Sequence, residues 1–143
     1  MATVSRTFTV TAEPHAVVEF LKDFSNAELW DPGTESCERL DSGPVVVGST
    51  WHNKSKIAGI STELDYELVE VAEDKIVFVG KNDTATSTDT IRISPHPDGT
   101  LLYYEAEIEM HGAAKFGAPL EKLVFEKIGT DTERDMKRVL DRL

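Results

Sequence analysis

The stretch Thr100-Leu101-Leu102-Tyr103-Tyr104-Glu105-Ala106-Glu107-Ile108-Glu109-Met110 alternates almost without a break. Leu102, Tyr104, Ala106, Ile108 and Met110 fall on one face, and Tyr103, Glu105, Glu107 and Glu109 on the other. A period of two with carboxylates on one side predicts a β-strand with a dry face and a wet face. After it, His111 to Pro119 is a Gly/Ala-rich connection, and a helix is expected from about Leu120 to Leu143. The best apolar stripe of that helix is Phe125, Ile128, Gly129, Thr132, Met136, Val139, Leu140 and Leu143. Gly129 and Thr132 are small, and glycine inside a helix costs about 1 kcal/mol relative to alanine. Small residues on a buried stripe can be there to leave space.

Upstream, more strands of the same kind recur. Residues 85–93 read as a strand followed by a loop from Pro95 to Gly99, and residues 75–80 as a short apolar strand. Residues 49–57 and 60–71 form a hairpin around Ala58-Gly59. With a two-residue loop, Trp51 faces Tyr66 and Asn53 faces Leu64 on one side, while His52 faces Asp65 and Lys54 faces Glu63 on the other. Both faces are then chemically sensible, which supports that register. Residues 35–40 supply another strand before the turn Asp41-Ser42-Gly43-Pro44, and residues 3–10 the first, with Val4, Phe8 and Val10 in phase. Between them, Pro14 suits the first turn of a helix carrying Val17, Phe20, Leu21 and Phe24. Ser25-Asn26-Ala27-Glu28 reads as a capping box for a second short helix, stopped by Asp31-Pro32-Gly33. Trp30, at its end, is placed to overhang a cavity edge. The expected fold is α+β: a single domain over residues 1–143, with a curved antiparallel sheet of about seven strands wrapped around a long C-terminal helix.

Charge excludes some partners. The chain carries a formal net charge of -11, and residues 1–114 hold eight basic against twenty acidic groups. A phosphate backbone or an anionic membrane surface would be repelled, so no nucleic-acid partner is expected. No apolar run approaches the ~20 residues that span a bilayer, and no signal-peptide pattern opens the chain, so no membrane insertion and a cytoplasmic location are expected. Cys37 is alone, which leaves no internal disulfide and no thiol zinc site. No histidine–carboxylate spacing suggests a metal, and no phosphate loop or nucleophile elbow appears, so no metal and no cofactor are expected.

Asp89 is the sharpest single residue, because it lies in phase with Ile91 and Ile93. Pointing inward, it would be desolvated, its pKa would rise, and it could act as an acid or base with Tyr104 as hydrogen-bond partner. His111, at the end of the last strand, is either a third candidate at the mouth of a pocket or a solvated strand end. His52 reads as a surface partner of Asp65.

Several features together resemble the polyketide cyclase/dehydrase and START-like lipid-binding superfamily, the SRPBCC or helix-grip fold. They are Ala12-Glu13-Pro14, Trp30-Asp31-Pro32-Gly33, Gly43-Pro44 with Val47-Gly48, Leu64-Asp65-Tyr66, Asp89-Thr90-Ile91, Gly99-Thr100 leading to Tyr104, and the Pro119-containing entry to the long helix. The resemblance runs over the whole chain through order and spacing, not through an active-site signature. It implies a cavity between sheet and helix that holds a hydrophobic or aromatic small molecule, lipid- or polyketide-like. Phase puts Trp51, Asn53, Leu64, Tyr66, Ile91, Tyr104, Ile108 and Met110 on its sheet side, with Trp30 at its edge, Phe116 in the connection, and Phe125, Ile128 and Thr132 on the helix. A dry cavity costs on the order of 24 cal/mol per Å³, so such a space would be wet, small or occupied. The alternative is an aromatase/cyclase or dehydratase-type enzyme in which Asp89, Tyr104 and His111 do the acid–base work. A third reading is an interaction module using the acidic outer face. The chain is expected to be a monomer or a homodimer.

Overall fold

The structure is a computed structural model that describes residues 2–57, 59–111 and 118–143. The chain runs β1 (Ala2–Val10), α1 (Pro14–Leu21), a 3-10 turn (Phe24–Asn26), α2 (Ala27–Trp30), β2 (Thr34–Arg39), β3 (Thr50–Ile57), β4 (Ile60–Val71), β5 (Lys75–Lys81), β6 (Ala85–His96), β7 (Gly99–Met110) and α3 (Ala118–Leu140). The seven strands form one open sheet in the order β1-β7-β6-β5-β4-β3-β2, with every neighbouring pair antiparallel. The α+β architecture is therefore the expected one. From β3 to β7 sequential strands are joined by short connections, residues 40–49 link β2 to β3, and β1 alone pairs out of sequence, closing the edge beside β7.

The β3–β4 hairpin adopts the expected register, with Trp51 opposite Tyr66, Asn53 opposite Leu64 and His52 opposite Asp65. A slip of one residue would have turned both aromatic rings to the wet face. The loop expected from Pro95 to Gly99 is shorter than that. β6 continues to His96, and Gly99 already opens β7. Proline is tolerated there because β5 ends opposite Arg92 and the Ile93 N–H turns instead to the Asp74 carbonyl at 2.9 Å. Pro95, two residues on, points its missing N–H to that same open side. Gly99 has φ +139°, and a Cβ on it would lie 2.5 Å from the Val10 carbonyl, so the turn needs glycine.

The capping box does not form. Asp23 caps the 3-10 turn by accepting from the Ser25 N–H at 3.1 Å, while the Glu28 carboxylate accepts from the Cys37 N–H at 2.8 Å and ties α2 to β2. The side chain of Glu28 is too engaged across the fold to reach back to its own helix start.

The helix α3 advances alongside β1. The Arg6 guanidinium donates to the Glu126 carbonyl (3.0 Å) and to Thr130 Oγ1 (3.2 Å), Lys137 Nζ donates to the Thr9 carbonyl (2.9 Å), and the Thr11 N–H donates to Asp141 Oδ1 (2.9 Å). Leu143 lies beyond the helix and is exposed, so the buried stripe ends at Leu140. Gly129 marks the closest approach. A Cβ there would stand 2.6 Å from Val4 Cγ2 and 3.0 Å from Arg6 Cζ. The space that glycine leaves is thus filled by β1 and serves packing, not a cavity. Gly129→Ala is expected to lower stability, because overpacking of about 1–3 kcal/mol outweighs the ~1 kcal/mol gain in helix propensity. A urea titration reads the sign, and a more stable variant would contradict the close contact.

Candidate functional site

The inner face of the sheet divides into two regions. Towards α1 and α2 it is filled with rings. Phe24 is the hub, with its centroid 4.4 Å from that of Phe78, 4.5 Å from Tyr66, 6.0 Å from Trp30 and 6.2 Å from Trp51. Offset and edge-on rings at such separations attract beyond the area they bury. The Trp51 indole donates to Ser25 Oγ (3.1 Å) and carries the Arg39 guanidinium at 5.5 Å from its ring centroid. Trp30 is fully buried and meets Tyr104 edge-on at 6.0 Å, so it is an interior wall and does not overhang a rim. Trp51, Leu64, Tyr66 and Ile91 are likewise core side chains. Phe24 packs against Trp51 and Tyr66, and Phe78 on β5 meets Trp51 edge-on at 5.8 Å.

Along β7 the enclosure weakens. Leu102 and Tyr104 are 0% and 5% exposed, whereas Ala106, Ile108 and Met110, on the same face, are only half-buried. Phe125 and Ile128 on α3 are half-buried too. Since Gly129 meets Val4, and Val4 pairs with Ala106, the first half of α3 stands over this end of the sheet. Phe116 lies outside the described residues. An open hollow of about 470 Å³ also exists, but on the opposite, outer face, lined by Lys75, Thr90, Arg92, Tyr103 and Glu105.

The inner face also carries a polar group of residues, of which Asp89, Tyr104 and Asn53 are buried and Asp31, Thr34 and Ser55 half-buried. The Tyr104 hydroxyl donates to Asp89 Oδ1 at 3.3 Å, diagonally across the β6–β7 pair. Burial first, and then the charge of Asp31, push the Asp89 carboxyl up to about 7, against the opposing Tyr104 hydrogen bond. Asp31 is itself raised by burial, although the Gly33 N–H (3.1 Å) and the Thr34 hydroxyl (2.9 Å) donate to it. Burial holds the Tyr66 and Tyr104 phenols well above their ordinary range, with Asp89 adding to the effect. The line continues from Thr34, whose Oγ1 accepts from Asn53 Nδ2 at 3.0 Å, to Ser55, which donates to Asn53 Oδ1 at 2.5 Å. Asn53 therefore faces inward as expected but spends its amide on protein partners.

Two buried polar side chains elsewhere stay unmatched. Trp30 Nε1 and Thr132 Oγ1 are buried with no hydrogen-bond partner among the described residues. Thr132 lies on the buried stripe of α3, one turn before Met136.

His111 is excluded from the group. It is exposed, and its Nε2 lies 2.9 Å from Thr86 Oγ1, whose partner in the ladder is the outward Glu109. Strand parity sends it outward, the solvated strand-end alternative. His52 bridges Asp65 at 2.6 Å and Glu63 at 2.8 Å on the outer face, and those two carboxylates raise its pKa. Burial drives the Cys37 thiol up to about 12, which leaves it unreactive as a nucleophile. Among the described residues no group of three or more side chains is arranged to hold a metal ion, and no helix is long and apolar enough to cross a membrane.

Asp31 and Asp135 were missed by sequence reading. Asp31 looked like punctuation in Asp31-Pro32-Gly33. Asp135 lies beside Met136 on the inner side of α3 and is 8% exposed. The packing of α2 against α3 brings Asp135 within reach of Asp31, and the Asp31 charge in turn reaches Asp89.

Similar folds occur in solved structures. A START superfamily protein from Mycobacterium smegmatis superposes with a TM-score of 0.81 at 19% identity, covering 98% of this chain and 97% of that one. The Zhui aromatase/cyclase from a Streptomyces species gives a TM-score of 0.74 at 16% identity, with 99% and 92% covered. Ginseng major latex-like protein 151 from Panax ginseng gives 0.71 at 12% identity, with 96% of each chain covered. No curated protein matches the chain by sequence. The profile described as polyketide cyclase / dehydrase and lipid transport matches residues 1–143, and the chain belongs to that family.

Proposed function

We propose that the protein binds a hydrophobic or aromatic small molecule, lipid- or polyketide-like, against the inner face beneath the first half of α3. The observation that carries this reading is the fall in enclosure along β7: Ala106, Ile108 and Met110 keep accessible surface on the face where Leu102 and Tyr104 are closed off. Phe125 and Ile128 supply a second apolar wall. Ligand sites are typically apolar with a few placed polar groups, and Asp89 with Tyr104 stands at the inner end. The family and the shared fold favour such a site, and the ligands named for relatives belong to those relatives. A thermal-shift panel of fatty acids, sterols and polyaromatic ketones tests it. A ligand at about 100 times its Kd should add about 2.7 kcal/mol of stability, and no shift from any member would end the proposal.

A second reading is favoured by one observation, a buried carboxyl at about 7 that accepts from a phenol. A group poised near neutral pH suits general acid–base catalysis in an aromatase/cyclase or dehydratase-type reaction. Asp89→Asn should then abolish turnover of an aromatic polyketide precursor while ligand binding persists. Unchanged turnover would remove Asp89 from the chemistry.

A further inference from the structure

We infer that the hollow on the outer face of the sheet, bounded by Lys75, Thr90, Arg92, Tyr103 and Glu105, is a second binding site, for a small aromatic carboxylate carrying a hydroxyl or amino group. It is independent of the inner-face reading above, because the sheet separates the two. Strand alternation puts it there. Ile76, Ile91 and Tyr104 are buried on the inner face, so their neighbours Lys75, Arg92 and Tyr103 point outward. The register sets these three in one row, with Lys75 opposite Arg92 and Arg92 opposite Tyr103. In the next outward row Thr90 stands opposite Glu105. Thr90 is the one short side chain among four long ones, and that difference in reach leaves a hollow of about 470 Å³. The volume falls within the roughly 300–1,000 Å³ usual for small-molecule sites.

The first support is the pair of cations. Like charges directly opposite each other on a ladder are destabilising, and this pair stands on the face where β7 presents Glu105, Glu107 and Glu109. Among the described residues Lys75 is paired, to Glu70 at 3.4 Å, and the exposed Arg92 is not. An anion seated between the two cations offsets their repulsion. The guanidinium fork suits a carboxylate, which it meets with two parallel N–H donors.

The second support is the rest of the wall. Tyr103, half-buried beside Arg92, supplies an aromatic side against which a flat ring packs. Its hydroxyl donates to Glu105 Oε2 at 2.8 Å, which ties the two side chains together along β7. A carboxylate accepts at both oxygens, so Glu105 can take a further donor from a ligand. Its row lies two residues from the Arg92 row, about 7 Å along the strand. A benzene ring with an acid at one end and a donor at the other spans that step. Glu70 and Glu105 offset Lys75 and Arg92, so a carboxylate monoanion suits the hollow better than a phosphate dianion.

The test titrates para-hydroxybenzoate, benzoate and para-hydroxybenzamide into the full chain at low ionic strength, with backbone amide shifts read by NMR. Para-hydroxybenzoate should bind about 10-fold more tightly than the neutral amide and several-fold more tightly than benzoate, which lacks the donor for Glu105. Its shifts should centre on Lys75, Thr90, Arg92, Tyr103 and Glu105, and its affinity should fall as salt is added, since exposed charges are screened. Arg92→Gln should weaken binding about 10-fold, and Thr90→Leu, which fills the floor, at least as much. Arg92→Lys keeps the charge without the fork and should lie between. An unchanged urea midpoint checks that each variant is folded. No binding of para-hydroxybenzoate at about 1 mM would overturn the inference. So would an affinity equal to that of the amide, one that Arg92→Gln leaves unchanged, or shifts centred on Ala106, Ile108 and Met110. The wild-type comparison of acid with amide decides the matter even if a variant fails to fold, and none of these results except the last bears on the inner face.

Discussion

Phe24→Ala should be the most damaging single substitution in this protein, with a loss of about 3–5 kcal/mol. Phe24 is 1% exposed and touches four other rings, Trp30, Trp51, Tyr66 and Phe78. These belong to α2, β3, β4 and β5, so removing the phenyl group detaches the short helices from the sheet. The neighbours cannot collapse into the gap, since Trp51 is held by Ser25 and Tyr66 lies over Gly80, where a Cβ would come within 2.6 Å of its ring. Urea unfolding followed by tryptophan fluorescence reads the effect directly. A loss below about 1 kcal/mol would mean that the ring cluster does not hold the interior.

The second large effect is pH-dependent. Asp89 titrates at about 7 in the folded protein, against ~3.9 for an unfolded aspartate. Between those values the folded state holds a proton that the unfolded state has released. Stability is therefore fullest below about pH 4 as far as this group is concerned, declines as pH rises through the window, and is fully reduced above about pH 7. Three units correspond to at most about 4 kcal/mol. Asp31 is shifted in the same direction. His52 is also raised, so its pairing is lost as pH rises. The carboxylates of Glu63 and Asp131 are held low chiefly by His52 and Lys127, and that of Asp141, against its burial, by the Thr11 N–H and then Lys137. Asp89→Asn keeps the shape and can still accept from Tyr104. It should be more stable than the wild type at about pH 8, with a flatter profile between about pH 5 and pH 8. An unchanged slope in the variant would show that Asp89 is ionised in the fold throughout.

These two expectations differ in how far the sequence foretold them. The inward phase of Asp89 follows from its spacing to Ile91 and Ile93, and Tyr104 is found two residues from Leu102 on the same face. A charge in phase with aliphatic residues is a signal that needs no coordinates. Phe24 carried no comparable signal. It read as one more apolar position on a helix, and nothing local says that it reaches Trp51 and Phe78, which lie 27 and 54 positions further on. Trp30 was misplaced for a related reason, since the end of a short helix looks like an edge until the helix is seen pressed into the sheet.

By itself the amino-acid order determined the strands and the register of the β3–β4 hairpin, because alternation and tight turns are local and a shift of one residue would have inverted every face, whereas the place of β1 beside β7 came only with the fold. It also assigned each side chain to the dry or the wet side. The tertiary structure alone decided depth and company: which inward residues fill the interior, which keep accessible surface, and that the charge of Asp31, just after α2, reaches Asp89 on β6. Those outcomes depend on how closely α2 and α3 approach the sheet, and that distance is set by packing between segments far apart in the chain, such as Gly129 against Val4.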